Sequence, residues 1–218
     1  MNRNYDLIVF DWDGTLMDST AVIAGSIQAA CRDLGVEEPD DATARHVIGL
    51  GLAEALCHAV PHLPAHRHGE LADRYRYHFL AQDGQMPLYA GARDTLDELR
   101  AAEYLLAVAT GKSRAGLDRV LDSSGLRAYF HASRTADETF SKPHPAMLHE
   151  LMEDLMVAPE RVLMIGDTTH DLQLALNAGV DAVGMTHGAH PEEALQELEP
   201  LALVEDFVAL RIWLRENA

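Results

Sequence analysis

Leu7-Ile8-Val9-Phe10-Asp11-Trp12-Asp13-Gly14-Thr15 is the stretch on which the reading of this chain turns. Four consecutive apolar residues suit a short strand buried on both faces, as in a parallel sheet. Two acids, one residue apart, follow at its carboxyl end. Carboxylates are costly there without a partner, and ligands of open α/β sheets bind just beyond that end of the strands. Read alone, the same residues also make an ordinary Asp-Gly turn. The decision therefore rests on what recurs downstream.

The theme does recur. An apolar run at 104–109 leads into Thr110-Gly111-Lys112, and another at 161–165 leads into Gly166-Asp167-Thr168-Thr169-His170-Asp171. Shorter strands are expected near 130–134, 180–184 and 201–204. Helical spacing predicts helices at 91–101, 114–123, 145–156, 171–178, 191–198 and 206–216. Alternating helices and strands predict an α/β fold, a Rossmann-like parallel sheet with helices on both faces. The interval after the first strand is different. It reads as helices at 17–35, from Pro39-Asp40-Asp41 to Ile48, at 52–60 and at 65–81, with no strand among them. Asp83-Gly84-Gln85-Met86-Pro87 reads as a linker. The expected division is a core of residues 1–15 and 88–218 with an inserted helical cap of residues 16–87.

Composition narrows the function. The chain has 218 residues, 48% of them hydrophobic, enough for a substantial core, and no apolar run reaches the roughly 18 residues of a membrane span. Met1-Asn2-Arg3-Asn4-Tyr5-Asp6 lacks the apolar stretch of a signal peptide. Cys31 and Cys57, both in apolar helical stretches, are expected to be buried thiols in a reducing, cytoplasmic setting. A formal charge of −18 disfavours nucleic acid and anionic membranes as partners; a monomer or weak homodimer is expected. An anionic small substrate then needs a locally positive site. Of 17 basic residues, 15 are arginine, and the two lysines, Lys112 and Lys142, both fall at expected strand ends or rigid turns.

Together these segments hold the parts of a phosphoryl-transfer site. Thr110 and the Gly111 amide can donate to a phosphate oxygen. Lys142 sits in the Pro-flanked turn Ser141-Lys142-Pro143-His144-Pro145. A carboxylate nucleophile approaching a phosphate dianion beside further acids meets about 4 kcal/mol of repulsion per like-charge pair, at ~4 Å and an effective dielectric near 20. A divalent ion and a lysine offset that. The donors are oxygens, with neither thiolates nor paired histidines, so Mg²⁺ suits them and zinc does not.

Asp11-x-Asp13-x-Thr15, Thr110, Lys142 and Gly166-Asp167-x-x-x-Asp171 resemble, in order, the four motifs of the haloacid dehalogenase (HAD) superfamily. The resemblance spans the chain, helical cap included, and is strongest to the branch of phosphoglycolate phosphatases and β-phosphoglucomutases. It implies Asp11 as nucleophile through an aspartyl-phosphate, and Asp13 as acid for the leaving oxygen and base for water. It implies that Thr15 supports the turn and Asp13, that Thr110 and Gly111 hold the phosphoryl group, and that Lys142 neutralises it. Mg²⁺ is implied on Asp11, Asp167 and the Asp13 main-chain carbonyl, with Asp171 as a further or supporting ligand. Lys112 faces either substrate or solvent. In such caps the first helical hairpin covers the site, so Arg45, His46, Gly49 and Gly51 are candidates for specificity, with Arg45 as the cation for a carboxylated substrate.

The resulting expectation is a Mg²⁺-dependent phosphatase of a small phosphorylated metabolite. The alternatives are a sugar-phosphate mutase and a non-catalytic phosphometabolite-binding module. Asp13 argues against dehalogenase chemistry. A cap without lysine argues against the Schiff base of phosphonatases. The largely apolar Gly49-Leu50-Gly51-Leu52-Ala53 lowers the mutase reading. His58, His62, His66 and His68 are separated by Pro61 and Pro64, which argues against a metal site among them, and Trp12 is expected to pack beside its strand.

Overall fold

The computed structural model describes residues 4–82, 84 and 86–218; the expectations for Met1–Arg3, and for Asp83 and Gln85 of the linker, lie outside the described residues. Six parallel strands form one sheet in the order β3-β2-β1-β4-β5-β6. They are β1 (Leu7–Phe10), β2 (Leu105–Thr110), β3 (Ala132–Thr135), β4 (Val162–Gly166), β5 (Asp181–Met185) and β6 (Ala202–Val204). β1 is central: Leu7 pairs with Leu105 and Val162, and Phe10 with Val108 and Ile165. The order reverses between β1 and β4, where open sheets of this kind form their ligand crevice.

The four apolar residues of β1 are divided between two cores, because side chains alternate across a strand. Leu7 and Val9 join Ala107, Ala109, Val162 and Met164 under α7 (Ala146–Leu155) and α8 (Thr169–Ala178). Ile8 and Phe10 join Leu106, Val108, Leu163 and Ile165 beneath α5 (Ala92–Ala101), α6 (Arg114–Ser124) and α10 (Phe207–Asn217). All four are fully buried, as strands covered on both faces require. α9 (Glu192–Gln196) connects β5 to β6.

Between β1 and β2 lie α1 (Thr20–Leu34), α2 (Asp41–His46), α3 (Leu52–Ala59) and α4 (His68–Leu80), the last preceded by a 3₁₀ turn at Ala65–Arg67. The expected start of α1 at 17 is corrected: residues 16–18 run beside 87–89 instead. Met17 bridges Leu88, the Asp18 amide donates to the Pro87 carbonyl at 3.0 Å, and the Tyr89 amide donates to the Leu16 carbonyl at 3.0 Å. The chain thus leaves for the helices and returns from them side by side. α2 ends at His46 rather than Ile48, and α8 begins at Thr169 rather than 171 because Thr168 caps it. Cys31 is buried as expected, but Cys57 is exposed on the outer side of α3, its Sγ 3.1 Å from His68 Nδ1. Among the described residues no helix is long and apolar enough to cross a membrane.

Candidate active site

The strand pairing brings the acids together. The Asp11 amide continues the ladder beyond β1, donating to the Ile165 carbonyl at 2.9 Å, which sets Asp11 beside the chain that leads through Gly166 to Asp167. Gly14 then turns the backbone at φ +85°, and a Cβ at Gly14 would lie 2.2 Å from Asp167 Oδ2. That close approach requires glycine. α8 supplies the third acid. Thr168 is its N-cap, and Asp171 at the third helical position closes a capping box: the Thr168 amide donates to Asp171 Oδ2 at 3.0 Å and the Thr168 hydroxyl at 2.7 Å.

Asp11, Asp167 and Asp171 are buried, and one oxygen of each lies within 4.8 Å of the others. Lys142, equally buried, reaches in from the loop before α7. Its Nζ is 2.7 Å from Asp11 Oδ1 and 2.5 Å from Asp171 Oδ1. Burial works against a charged Lys142, but Asp11 and Asp171 outweigh it and hold the ammonium charged. Three carboxylates against one ammonium leave a formal surplus of two negative charges. The consequence shows in their protonation. Burial pushes Asp11 up to about 7, against the pull of Lys142 and with the push of Asp171. Burial, then Asp11 and Asp171, raises Asp167 well above the usual carboxylate range. Apart from the ionic contact with Lys142, neither Asp11 oxygen accepts a directed hydrogen bond. A buried carboxylate in that condition is unusual. An all-oxygen donor set with two surplus charges, in which Asp11 meets no group but Lys142, fits a hard divalent cation and an incoming phosphoryl group.

The other expected residues divide into two groups. Asp13, Gly49, Gly51, Gly111 and Lys112 line a cleft of about 620 Å³ between the inserted helices and the sheet. Its other walls are largely apolar, including Ile23, Ile48, Leu52 and Phe79, with Arg76 and Arg119 also contributing. Thr110 ends β2, buried; its Oγ1 accepts from the Lys112 amide at 3.3 Å. Thr15, expected to support Asp13, is turned to Asp167: its Oγ1 donates to Asp167 Oδ1 at 2.6 Å. Arg45 does not line the cleft. As α2 is oriented, its guanidinium donates to Asp41 at 2.8 Å and to Thr20 Oγ1 at 3.1 Å. His46 also lies outside the cleft, stacked on His190 with ring centroids 4.9 Å apart.

The helices rest against the sheet loops. Gly51 donates to Ser141 Oγ at 2.9 Å, and a Cβ at Gly111 would stand 2.4 Å from the Leu50 carbonyl oxygen. No side chain fits between those two loops.

Sequence reasoning missed several contributors. Ser19 Oγ donates to Asp13 Oδ1 at 2.7 Å, and the Ala189 amide donates to Asp167 Oδ2 at 2.7 Å. His190 is almost completely buried; its Nδ1 accepts from the Thr169 amide at 3.0 Å, and its Nε2 stands 3.0 Å from the His46 carbonyl oxygen. Burial and neighbouring His170 lower it to about 4, so the ring is neutral. The available signal was positional. Thr186-His187-Gly188-Ala189-His190 follows β5, at the same edge of the sheet as the acids.

A family model described as haloacid dehalogenase-like hydrolase matches residues 8–185. The chain belongs to that family. The "Probable phosphatase IndB" of Dickeya dadantii is 34% identical over 207 residues, covering 92% of this chain and 90% of that protein. A phosphoglycolate phosphatase of Vibrio cholerae is 32% identical over 219 residues, covering 95% and 96%. A solved structure titled as a predicted phosphoglycolate phosphatase from Haemophilus somnus superposes with a TM-score of 0.83 at 25% identity, covering 96% and 98%. A hydrolase from Pseudomonas syringae shares the fold at TM-score 0.88 and 20% identity, covering 97% and 98%. This family member is a phosphatase, with a buried acid cluster of the kind in which HAD phosphatases hold a divalent metal.

Proposed function

We propose that this haloacid dehalogenase-like enzyme is a Mg²⁺-dependent phosphatase of a small phosphorylated metabolite, working through an aspartyl-phosphate on Asp11. The observation that carries the reading is the Asp11 carboxylate, buried, with Oδ1 against the Lys142 ammonium at 2.7 Å and Oδ2 without a hydrogen-bond partner. A nucleophile has to keep its lone pairs available, and most buried carboxylates do not.

Asp11, Asp167 and the Asp13 carbonyl would hold the ion, with Asp171 behind them; bound there, it would neutralise the surplus charge and polarise the phosphoryl oxygens. Asp11 attacks phosphorus while Lys142 answers the negative charge of the equatorial oxygens. The Thr110 hydroxyl and the Gly111 amide orient the transferring group. Asp13, at the cleft wall, protonates the departing alcohol and then deprotonates the water that releases phosphate. The inserted helices act as the cap, and the leaving alcohol occupies the cleft between cap and core. The two free cysteines, one of them exposed, suit a reducing cytoplasmic setting.

The test is phosphate release from a panel headed by 2-phosphoglycolate and hexose phosphates, with and without Mg²⁺. The expected result is Mg²⁺-dependent release that Asp11→Asn reduces by a factor of at least about 10⁴. Transfer of phosphate to a second hydroxyl, with none released, favours the mutase. No turnover by a folded protein rejects the reading.

A further inference from the structure

Lys112 is the first of the chain's two lysines, and the mechanism above leaves it without a task. Its side chain is 8% exposed although it lines the cleft. The ammonium is held from two sides. Nζ lies 3.0 Å from Asp13 Oδ1, and 4.9 Å from the ring centroid of Phe79, a buried residue of α4. The second distance is within cation–π range. Asp13 Oδ1 also accepts from Ser19 at 2.7 Å. One oxygen of this carboxylate is therefore fixed by a cation from the β2 loop and a hydroxyl from the start of α1. Asp13 also lines the cleft.

A lysine in a phosphatase cleft invites assignment to a substrate anion. The geometry points elsewhere, because the ammonium already meets a carboxylate and an aromatic face. We propose that Lys112 is a positioning residue for Asp13. It pins Oδ1, so that the proton Asp13 gives to the leaving oxygen is carried on Oδ2, and its contact with Phe79 couples that placement to the cap lying against the core. A charge-assisted contact is strong enough to select one carboxylate orientation. The inference rests on the role proposed for Asp13 and adds a specific dependence on the leaving group.

Lys112→Met and Asp13→Asn, each against the wild type, would be assayed on p-nitrophenyl phosphate, phenyl phosphate and an alkyl phosphate. A good leaving group departs without protonation, whereas an alkoxide does not. A misplaced acid should lower kcat/KM for the alkyl ester about 100-fold, for p-nitrophenyl phosphate by less than about 5-fold, and in the same rank order as Asp13→Asn. Lys112→Arg should recover part of the loss. A rise in KM alone, equal for all esters, would overturn the proposal in favour of substrate binding. A fall in kcat/KM equal for all three esters with KM unchanged would overturn it in favour of a structural role, since kcat/KM excludes the water step that all esters share. A second measurement does not depend on turnover: labelling of the native protein with an amine-reactive reagent, read at each lysine by mass spectrometry. Lys112 should react several-fold faster in Asp13→Asn and in Phe79→Ala, while Lys142 stays protected. Unchanged Lys112 labelling sinks the proposal even if no substrate is turned over. Faster labelling of a protein inactive on every ester would uphold the Lys112–Asp13 pairing and discard the phosphatase reading.

Discussion

Thr15 and Asp167 meet although they are 152 residues apart, and their 2.6 Å hydrogen bond fixes the rotamer of a proposed metal ligand. Thr15→Val keeps the shape and removes the donor. Loss of a hydrogen bond behind a metal ligand weakens metal binding by about 10- to 100-fold. The Mg²⁺ concentration for half-maximal activity should rise by that factor with kcat at saturation little changed; an unaltered Mg²⁺ requirement would show that the Ala189 amide alone suffices. At this scale the sequence was readable where a residue's neighbours in the chain define it, as with Asp11 and Asp13 at the end of an apolar run. It was not readable where two distant side chains have to find each other. Sequence proximity points Thr15 toward Asp13, next in the chain but one, whereas the sheet delivers it to Asp167. The charge of Arg45 suits a carboxylated substrate, but α2 turns that charge onto Asp41 and Thr20.

At the scale of elements, α8 has its start set by a side chain. The capping box of Thr168 and Asp171 begins the helix two residues before apolar spacing alone would place it. The same box aims Asp171 Oδ1 at Lys142 while Thr168 occupies Oδ2. Thr168→Ala should cost about 1 kcal/mol as a lost N-cap. For a chain of this size that is a fall of about 2–4 °C in Tm. Thr168→Ser should restore it; equal melting of all three proteins would remove the cap from the account. The strands were legible because runs such as Leu7–Phe10 and Val162–Gly166 are apolar throughout, as strands covered on both faces must be. Helix ends were less so. α2 stops at His46, whose carbonyl lies 2.8 Å from His170 Nε2 and 3.0 Å from His190 Nε2, groups from the far end of the chain.

For the molecule as a whole, the buried acids link stability to pH and metal. Unfolded, Asp11 titrates near 3.8; folded without metal it titrates at about 7, chiefly through burial, and Asp167 is shifted the same way. The folded state then binds more protons than the unfolded state between about pH 4 and 7. Its contribution is complete below about pH 4 and is lost as pH rises through about 7. A divalent ion binds the ionised carboxylates and so displaces those protons. The gain in Tm on adding Mg²⁺ over EDTA should therefore grow from pH 5 to pH 8; a gain independent of pH would mean the acids are already ionised. Parallel topology was legible at this scale from the alternation of helices and strands. The seating of helices on the sheet was not, because it is made by backbone-to-backbone approach at Gly111 and Leu50, which leaves no trace in hydrophobic spacing. The paired crossing at residues 16–18 and 87–89 has one more consequence. Two adjacent, mutually bonded strips of backbone carry the chain out to α1–α4 and back, so these helices join the sheet through one paired crossing rather than two separate strands of chain. The contacts of Phe79 with Lys112 and of Gly51 with Ser141 both run between those helices and the loops of the sheet, so the placement of the helices and the arrangement of the cleft wall are a single structural fact.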